Sequence, residues 1–191
     1  MYFNSFPIIP YDSAGSDKFK NVTNLMRRVA IRSKVKTNTM LFDTYDVKEG
    51  ETPESIADKL YDNSQFHWVV LMVNDIRDRY HQWPMTQPQF LQYVDDKYKK
   101  DDGTSGANDT HHFEVAQSSG DTSVKIEVYK DSALYTGDQD FYSNSTAITN
   151  YEYEERLQDQ RRKIRLLDPR YLDDFVSEFK LLMKELSLIH I

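Results

Sequence analysis

The stretch Tyr45–Asn74, YDVKEGETPESIADKLYDNSQFHWVVLMVN, carries the densest set of local structural signals in the chain. Tyr45-Asp46-Val47 alternates an apolar-capable face with a polar one, as a short half-buried strand does. Gly50 supplies the turn that follows, because glycine reaches backbone angles that other residues resist. The Thr52 hydroxyl can cap a helix, and Pro53 suits the first helical position, where its missing N–H has no partner to lose. Ile56, Ala57, Leu60 and Tyr61 then recur at helical spacing as one buried stripe. Asp62-Asn63-Ser64 breaks that helix, Ser64 can cap a second, and Asn74 is placed to end it. Trp68, Leu71 and Met72 are expected to hold the second helix against Ile56 and Leu60. The predicted order is strand, turn, helix, turn, helix.

The residues Tyr45, Val47, Gly50, Thr52, Ile56, Ala57, Tyr61 and Asn74, in this register, resemble the LysM motif. A second short strand closing on the first is expected of that motif. Ile76-Arg77-Asp78-Arg79-Tyr80-His81-Gln82-Trp83-Pro84 follows instead, with no clean strand pattern. A wider set of residues carries a second resemblance. Phe6-Pro7-Ile8-Ile9-Pro10-Tyr11, Pro53–Ala57, His67–Asn74, Trp83-Pro84-Met85-Thr86 and Ile164-Arg165-Leu166-Leu167-Asp168-Pro169 are similar to one phage family. It comprises the small LysM-like baseplate wedge proteins of T-even-type contractile-tailed bacteriophages, the gene product fifty-three family. The likeness spans most of the chain except the middle, about Asp101 to Ser145.

Around this centre the chain divides by composition. Residues 1–20 hold two prolines and a Ser-Ala-Gly-Ser loop, which favours an extended arm over a helix. Between Asn21 and Lys36, Val22, Leu25, Met26 and Val29 fit a helical turn, while Val29-Ala30-Ile31 fits the start of a strand. Arg27, Arg28, Arg32, Lys34 and Lys36 form a basic run that reads either as a solvated face or as a dock for an acidic partner. Thr86 and Pro88 signal a helix from about Gln87 to Lys100, with Phe90, Leu91, Val94 and Tyr98 on one side. Asp101 to Thr110 reads as a loop. Phe113 and Val115, then Val124, Ile126 and Val128, alternate as the two arms of a β-hairpin. Residues 131–150 are turn-rich and are expected to be irregular. Tyr151 to Lys163 is charge-dense, with Glu152→Arg156 and Asp159→Lys163 at helix-favouring spacing.

Asp168-Pro169 then restarts a helix whose residues Leu172, Phe175, Phe179, Leu182 and Leu186 alternate at three and four, the seam of a bundle or coiled coil. Tyr171, Val176 and Met183 widen it. The fold class is therefore α+β: a LysM-like strand–helix–helix core with an extended N-terminal arm, a β-hairpin and a C-terminal amphipathic helix. The expected segments are 1–40 (arm), 41–100 (LysM-like domain with appended helix), 101–150 (loop and hairpin insertion) and 151–191 (C-terminal helical segment).

Bulk properties exclude several function classes. A length of 191 residues supports one real core and leaves room for a second small lobe. A net charge of −7 with interspersed signs argues against binding nucleic acid or anionic membrane. No cysteine is present, so a disulfide framework, a zinc–thiolate site and a thiol nucleophile are ruled out. Lys18 is the first lysine and prolines interrupt the N-terminal apolar run, so no signal peptide is expected. Trp68–Val73, the longest purely apolar run, is too short to span a bilayer. The 13 Tyr and 10 Phe fit either core and strand positions or partner interfaces.

No catalytic constellation stands out. His111 and His112 are adjacent and would point to opposite faces of a strand, a poor geometry for one metal. His67 reads as a packed, hydrogen-bonded histidine. Asp101, Asp102 and Asp109 with Gly103 lack calcium-loop spacing, and no phosphate cradle or nucleophile elbow occurs. Neither catalytic residues, cofactor nor metal is expected. The phage resemblance implies a structural subunit of the virion tail baseplate, assembled in the host cytoplasm and packed between neighbouring wedge proteins. It also shifts the C-terminal stripe (Leu172, Phe175, Phe179, Leu182 and Leu186) toward a partner surface. The alternative is a LysM module binding peptidoglycan or chitin oligomers at Gly50-Glu51-Thr52-Pro53 and Asn74 to Arg77. A wall hydrolase targeted by such a module is a third reading, which nothing outside the motif supports.

Overall fold

The computed structural model describes residues 2–26, 29–31, 40–116, 124–129 and 144–188, the last four by backbone alone. Its elements run β1 (Ile8–Tyr11), β2 (Lys20–Thr23), β3 (Phe42–Asp46), α1 (Pro53–Tyr61), α2 (His67–Val73), α3 (Arg79–Gln82) and α4 (Gln87–Lys97). They continue as β4 (Thr110–Ala116), β5 (Lys125–Tyr129), β6 (Thr146–Thr149), α5 (Asn150–Arg162), β7 (Lys163–Leu167) and α6 (Leu172–Leu188), giving an α+β fold. Two compact units result. The first joins Met1–Trp83 to Lys163–Ile191, and the second is Pro84–Arg162. This nested division replaces the four consecutive segments expected from composition.

The cause is one strand pairing. In the first unit β3 pairs antiparallel with β7, from Phe42↔Leu167 to Asp46↔Lys163. The strand that closes on β3 is thus Lys163–Leu167, and the region around Ile76–Pro84, where it was sought, holds the short helix α3 instead. β7 turns Ile164 and Leu166 inward and keeps Lys163 and Arg165 exposed, the period-two pattern of a half-buried strand.

Local chemistry sets α1 as expected. The Ser55 N–H donates to Thr52 Oγ1 at 3.2 Å while the Thr52 N–H donates to Ser55 Oγ at 3.0 Å, a reciprocal capping box. Gly50 turns with φ +74°, in the left-handed region where glycine carries no steric penalty. Ile56, Ala57 and Tyr61 of α1 and Trp68, Val69, Val70 and Val73 of α2 form the centre of the core. Leu60, Leu71 and Met72 are only partly buried against it. Side-chain bonds then fasten the helices to the closing strand. The Tyr61 hydroxyl donates to the Leu167 carbonyl at 2.9 Å. The Asn74 amide donates to Val70 O and Arg165 O, and its Oδ1 accepts the Arg165 N–H, each at 2.8 Å.

The N-terminal segment is a 3-10 turn (Tyr2–Ser5) followed by the antiparallel hairpin β1–β2, paired from Ile8↔Thr23 to Tyr11↔Lys20. Part of the expected arm is therefore core: Phe6 is buried, and Tyr2 stacks on Phe179 with ring centres 5.3 Å apart. The ambiguous stretch from Asn21 to Lys36 begins within β2 (Lys20–Thr23), and the whole basic run falls outside the described residues.

The second unit is a three-stranded antiparallel sheet, order β5-β4-β6, with α4 and α5. The β4–β5 hairpin matches its alternating pattern, whereas β6 lies in a stretch expected to be irregular. Helix α5 explains its own thin apolar stripe. The residues it buries are Asn150, Glu154 and Gln158, one polar side chain per turn. Asn150 Nδ2 donates to Gly106 O at 2.8 Å, Glu154 Oε1 accepts Lys97 Nζ at 2.5 Å and the Tyr98 hydroxyl at 2.8 Å, and Gln158 Oε1 accepts the Met85 N–H at 3.2 Å. The first of the charge pairs expected along α5 is drawn to other partners. Arg156 reaches Glu114 on β4, and Glu152 accepts the Thr149 N–H and hydroxyl at the helix start.

Asn74 makes three hydrogen bonds that join the end of α2 to β7, so Asn74→Ala should lower stability by about 1–3 kcal/mol. Denaturant melts of the full chain measure this. An unchanged midpoint would show that backbone pairing of β3 with β7 suffices without the clip.

Candidate interaction surface

The C-terminal stripe is largely committed within the chain. Leu172, Phe179 and Met183 are buried in the first unit, with Phe179 3% exposed and its ring centre 4.7 Å from that of Trp68. The expected partner-facing role is corrected for Leu172 and Phe179. β7 carries the chain back onto the first unit, so α6 packs beside α2, and Tyr2 packs against both the Trp68 and Phe179 rings. Phe175 is half-buried with its ring 6.1 Å from Trp68, and Leu182 is half-buried as well. The Leu186 side chain lies outside the described residues. Leu181 is exposed.

Among the described residues, a run of uncovered large apolar side chains lies near the start of the chain. All four residues of β2 and three of four in β1 are exposed. Ile8 is 68% exposed, Phe19 64% and Met26 90%, with Tyr11 and Leu25 also exposed. A two-stranded ribbon is marginal in water unless a face is covered. The turn between the strands is braced only locally, Asp12 accepting the Ala14 and Asp17 N–H groups. Beside the hairpin an apolar groove of about 720 Å³ is lined by Phe3, Phe6, Leu25, Trp68, Leu71 and Ile76. Sequence reasoning took this region for an arm and did not single it out. The available signal was a run of large apolar residues in a proline-interrupted segment too short for a core of its own.

The motif residues hold the fold together. Val47, Ile56, Ala57 and Tyr61 are buried, Thr52 caps α1, Gly50 makes the turn and Asn74 clips β7. Tyr45 donates its hydroxyl to Glu51 Oε2 at 2.8 Å, an oxygen that also accepts the Lys48 N–H at 3.0 Å, while Glu51 Oε1 pairs with Lys59. The Glu51 carbonyl accepts the Trp83 indole N–H at 2.9 Å. In the turn and the loop that a sugar-binding module would use, Glu51 and Asn74 respectively already have partners inside the chain. Among the described residues, no helix is long and apolar enough to cross a membrane.

Burial acts to raise the Glu51 carboxyl, but Lys59, the Lys48 N–H and the Tyr45 hydroxyl outweigh it and hold the group down to about 2. Glu51 is therefore ionised in the fold at pH values where an unfolded glutamate, near 4.5, takes up a proton. Its stabilising effect is complete above the unfolded value and is lost as pH falls from about 4.5 toward 2. Urea melts across this window should show Glu51→Gln losing less stability with acid than the parent chain. Parallel losses would mean that Glu51 contributes nothing to acid sensitivity. Glu114, held at about 2 against burial by Lys125 and Arg156, keeps some acid dependence in both proteins.

The baseplate wedge protein gp53 of Enterobacteria phage T4 is 32% identical over 93 residues, covering 49% of this chain and 42% of that relative. The family described as Base plate wedge protein 53 matches residues 1–182. The chain belongs to the base plate wedge protein 53 family.

Proposed function

We propose that this chain is a structural subunit of a phage tail baseplate wedge, joined to neighbouring wedge proteins through the apolar face of its N-terminal hairpin. The observation that carries this reading is the hairpin itself, a two-stranded ribbon with Ile8, Phe19 and Met26 exposed. Large uncovered apolar patches mark interaction sites, since in a free protein they promote aggregation. The groove lined by Phe3, Phe6, Leu25 and Trp68 adds apolar surface in the same unit, and Phe175 and Leu182 of α6, half-buried, add a further contact area. Family membership supports a place in the virion tail, reached by assembly in the host cytoplasm. The role is architectural, with no reaction, cofactor, nucleic acid or membrane in it. The glycan-binding alternative is the weaker one because the Asn74 amide is engaged with Arg165 and the Glu51 carboxylate with Lys59 and Tyr45.

The test is co-purification of the full chain with neighbouring wedge proteins. Ile8→Asp with Phe19→Asp, both at exposed positions, should leave the melting curve within about 0.5 kcal/mol of the parent. The same pair should weaken wedge incorporation by roughly tenfold or more, as loss of anchoring residues does. Phe179→Asp is expected instead to unfold the first unit. Normal incorporation of the hairpin variant would overturn the docking face. Calorimetric binding of chitin oligomers at about micromolar affinity would favour the glycan module.

A further inference from the structure

We propose that the second unit contains a divalent-metal site of the zinc type, with His112 Nε2, a Glu114 carboxylate oxygen and a Glu127 carboxylate oxygen as ligands. The three residues come together through the sheet. His112 and Glu114 are two apart on β4 and face the same side, and Glu127 is the direct cross-strand partner of Glu114 on β5. Their donor atoms all lie within 4.8 Å of one another. His112 and Glu114 are buried, while Glu127 is exposed and forms the side open to solvent.

Three features of His112 point to a ligand. The residue is 1% exposed, and its Nε2 has no hydrogen-bond partner among the described residues. A buried imidazole nitrogen without a partner is uncommon and calls for a water or an ion. Nε2 also lies 3.6 Å from Glu114 Oε1, close to the separation of about 3.4 Å between two ligands of a tetrahedral zinc with bonds near 2.1 Å. Finally, the His112 and His111 Nδ1 atoms are 2.9 Å apart, so one proton is shared between them. With that proton on His112, Nε2 presents its lone pair toward the carboxylates, and His111 becomes the outer partner that fixes the ring. The pairing of β4 with β6 shifts register between Thr110 and His112, so the strand is irregular where these two rings meet. His111 is further held by stacking on Tyr153, with ring centres 3.9 Å apart.

Glu114 already meets two cations, Arg156 on Oε1 and Lys125 Nζ at 2.8 Å on Oε2. A carboxylate offers about four lone-pair positions, so Glu114 can keep Arg156 and still serve a metal. The Lys125 side chain, 53% exposed, is free to move into solvent. Arg156 and Lys125 both place positive charge on the carboxylate a metal would use, so removing Lys125 should favour the metal, which gives the proposal a direction that can be tested.

The experiment is calorimetric titration of the full chain with zinc chloride in a non-chelating buffer, with thermal melts and the visible absorption of a cobalt(II) substitute. The expected result is saturable one-to-one binding with tetrahedral cobalt bands and a raised melting temperature. Glu127→Gln, at an exposed position that the fold does not need, should weaken binding about tenfold or more. Lys125→Ala should tighten it by removing the competing charge. His81 with Asp78, their side-chain atoms 2.5 Å apart on the surface of the first unit, is the rival zinc donor. Binding lost in His81→Ala and kept in Glu127→Gln would overturn the proposal. So would the absence of saturable binding, or an affinity indifferent to both Glu127→Gln and Lys125→Ala.

Discussion

Backbone pairing between Phe42–Asp46 and Lys163–Leu167 is the constraint on which the first unit depends. Without β7, the strand β3 is single, Tyr61 and Asn74 lose their acceptors on that strand, and α6 has no anchor near Trp68. The pairing joins residues far apart in the chain, yet closing a longer loop costs only about 0.6 kcal/mol per doubling of its length. The intervening segment also does not behave as a loop. It folds as its own unit, and Gln158 near its end bonds the Met85 N–H near its start. An insertion tied at its base in this way can lengthen the connection with little effect on the parent fold.

What could be read from the sequence follows from the range of the interactions involved. α1 was legible because its cap, first-turn proline and stripe lie within ten residues, and the structure forms it as a capping box followed by Ile56, Ala57 and Tyr61. α4 and the β4–β5 hairpin were legible for the same reason. β7 was hidden because Lys-Ile-Arg-Leu-Leu directly continues a charged helix, and its partner lies far upstream. The C-terminal stripe was recognised as amphipathic, but periodicity reports that a face is buried and not what buries it. Here Tyr2 and Trp68 cover Phe179. The His111–His112 contact was unreadable because strand-face reasoning rests on strict alternation, and the register of β4 against β6 shifts between Thr110 and His112.

The second unit is held by a different balance. Its helix α5 buries Asn150, Glu154 and Gln158, and its sheet buries His112 and Glu114. Glu154 receives Lys97 and Tyr98, and Glu114 receives Lys125 and Arg156, so these buried carboxylates are met by cations from other elements. Such pairs add little net stability over apolar packing, because desolvating the charges offsets their attraction. They do penalise wrong registers strongly, since any slip leaves a buried charge without its partner. A small sheet with few apolar contacts gains a defined alignment of β4, β5 and α5 in this way.

The two apolar surfaces of the first unit therefore have different meanings, although the sequence presents them alike. The α6 stripe is wide and periodic, so it resembles an uncovered helix face, but its central ring is 3% exposed and takes part in an aromatic cluster with Tyr2 and Trp68. The hairpin residues carry no helical period and less apolar density, yet they remain open to solvent on both strands. Burying Phe179 inside the chain requires the N-terminal turn to lie across α6, since Tyr2 and Phe6 are part of that cluster. The turn then leads directly into β1, with the Asn24 N–H donating to the Pro7 carbonyl at 2.8 Å to close the base of the ribbon. The packing that removes α6 from the candidate surface is thus continuous with the segment that presents the hairpin. Covering one apolar face fixes the base from which the other is displayed.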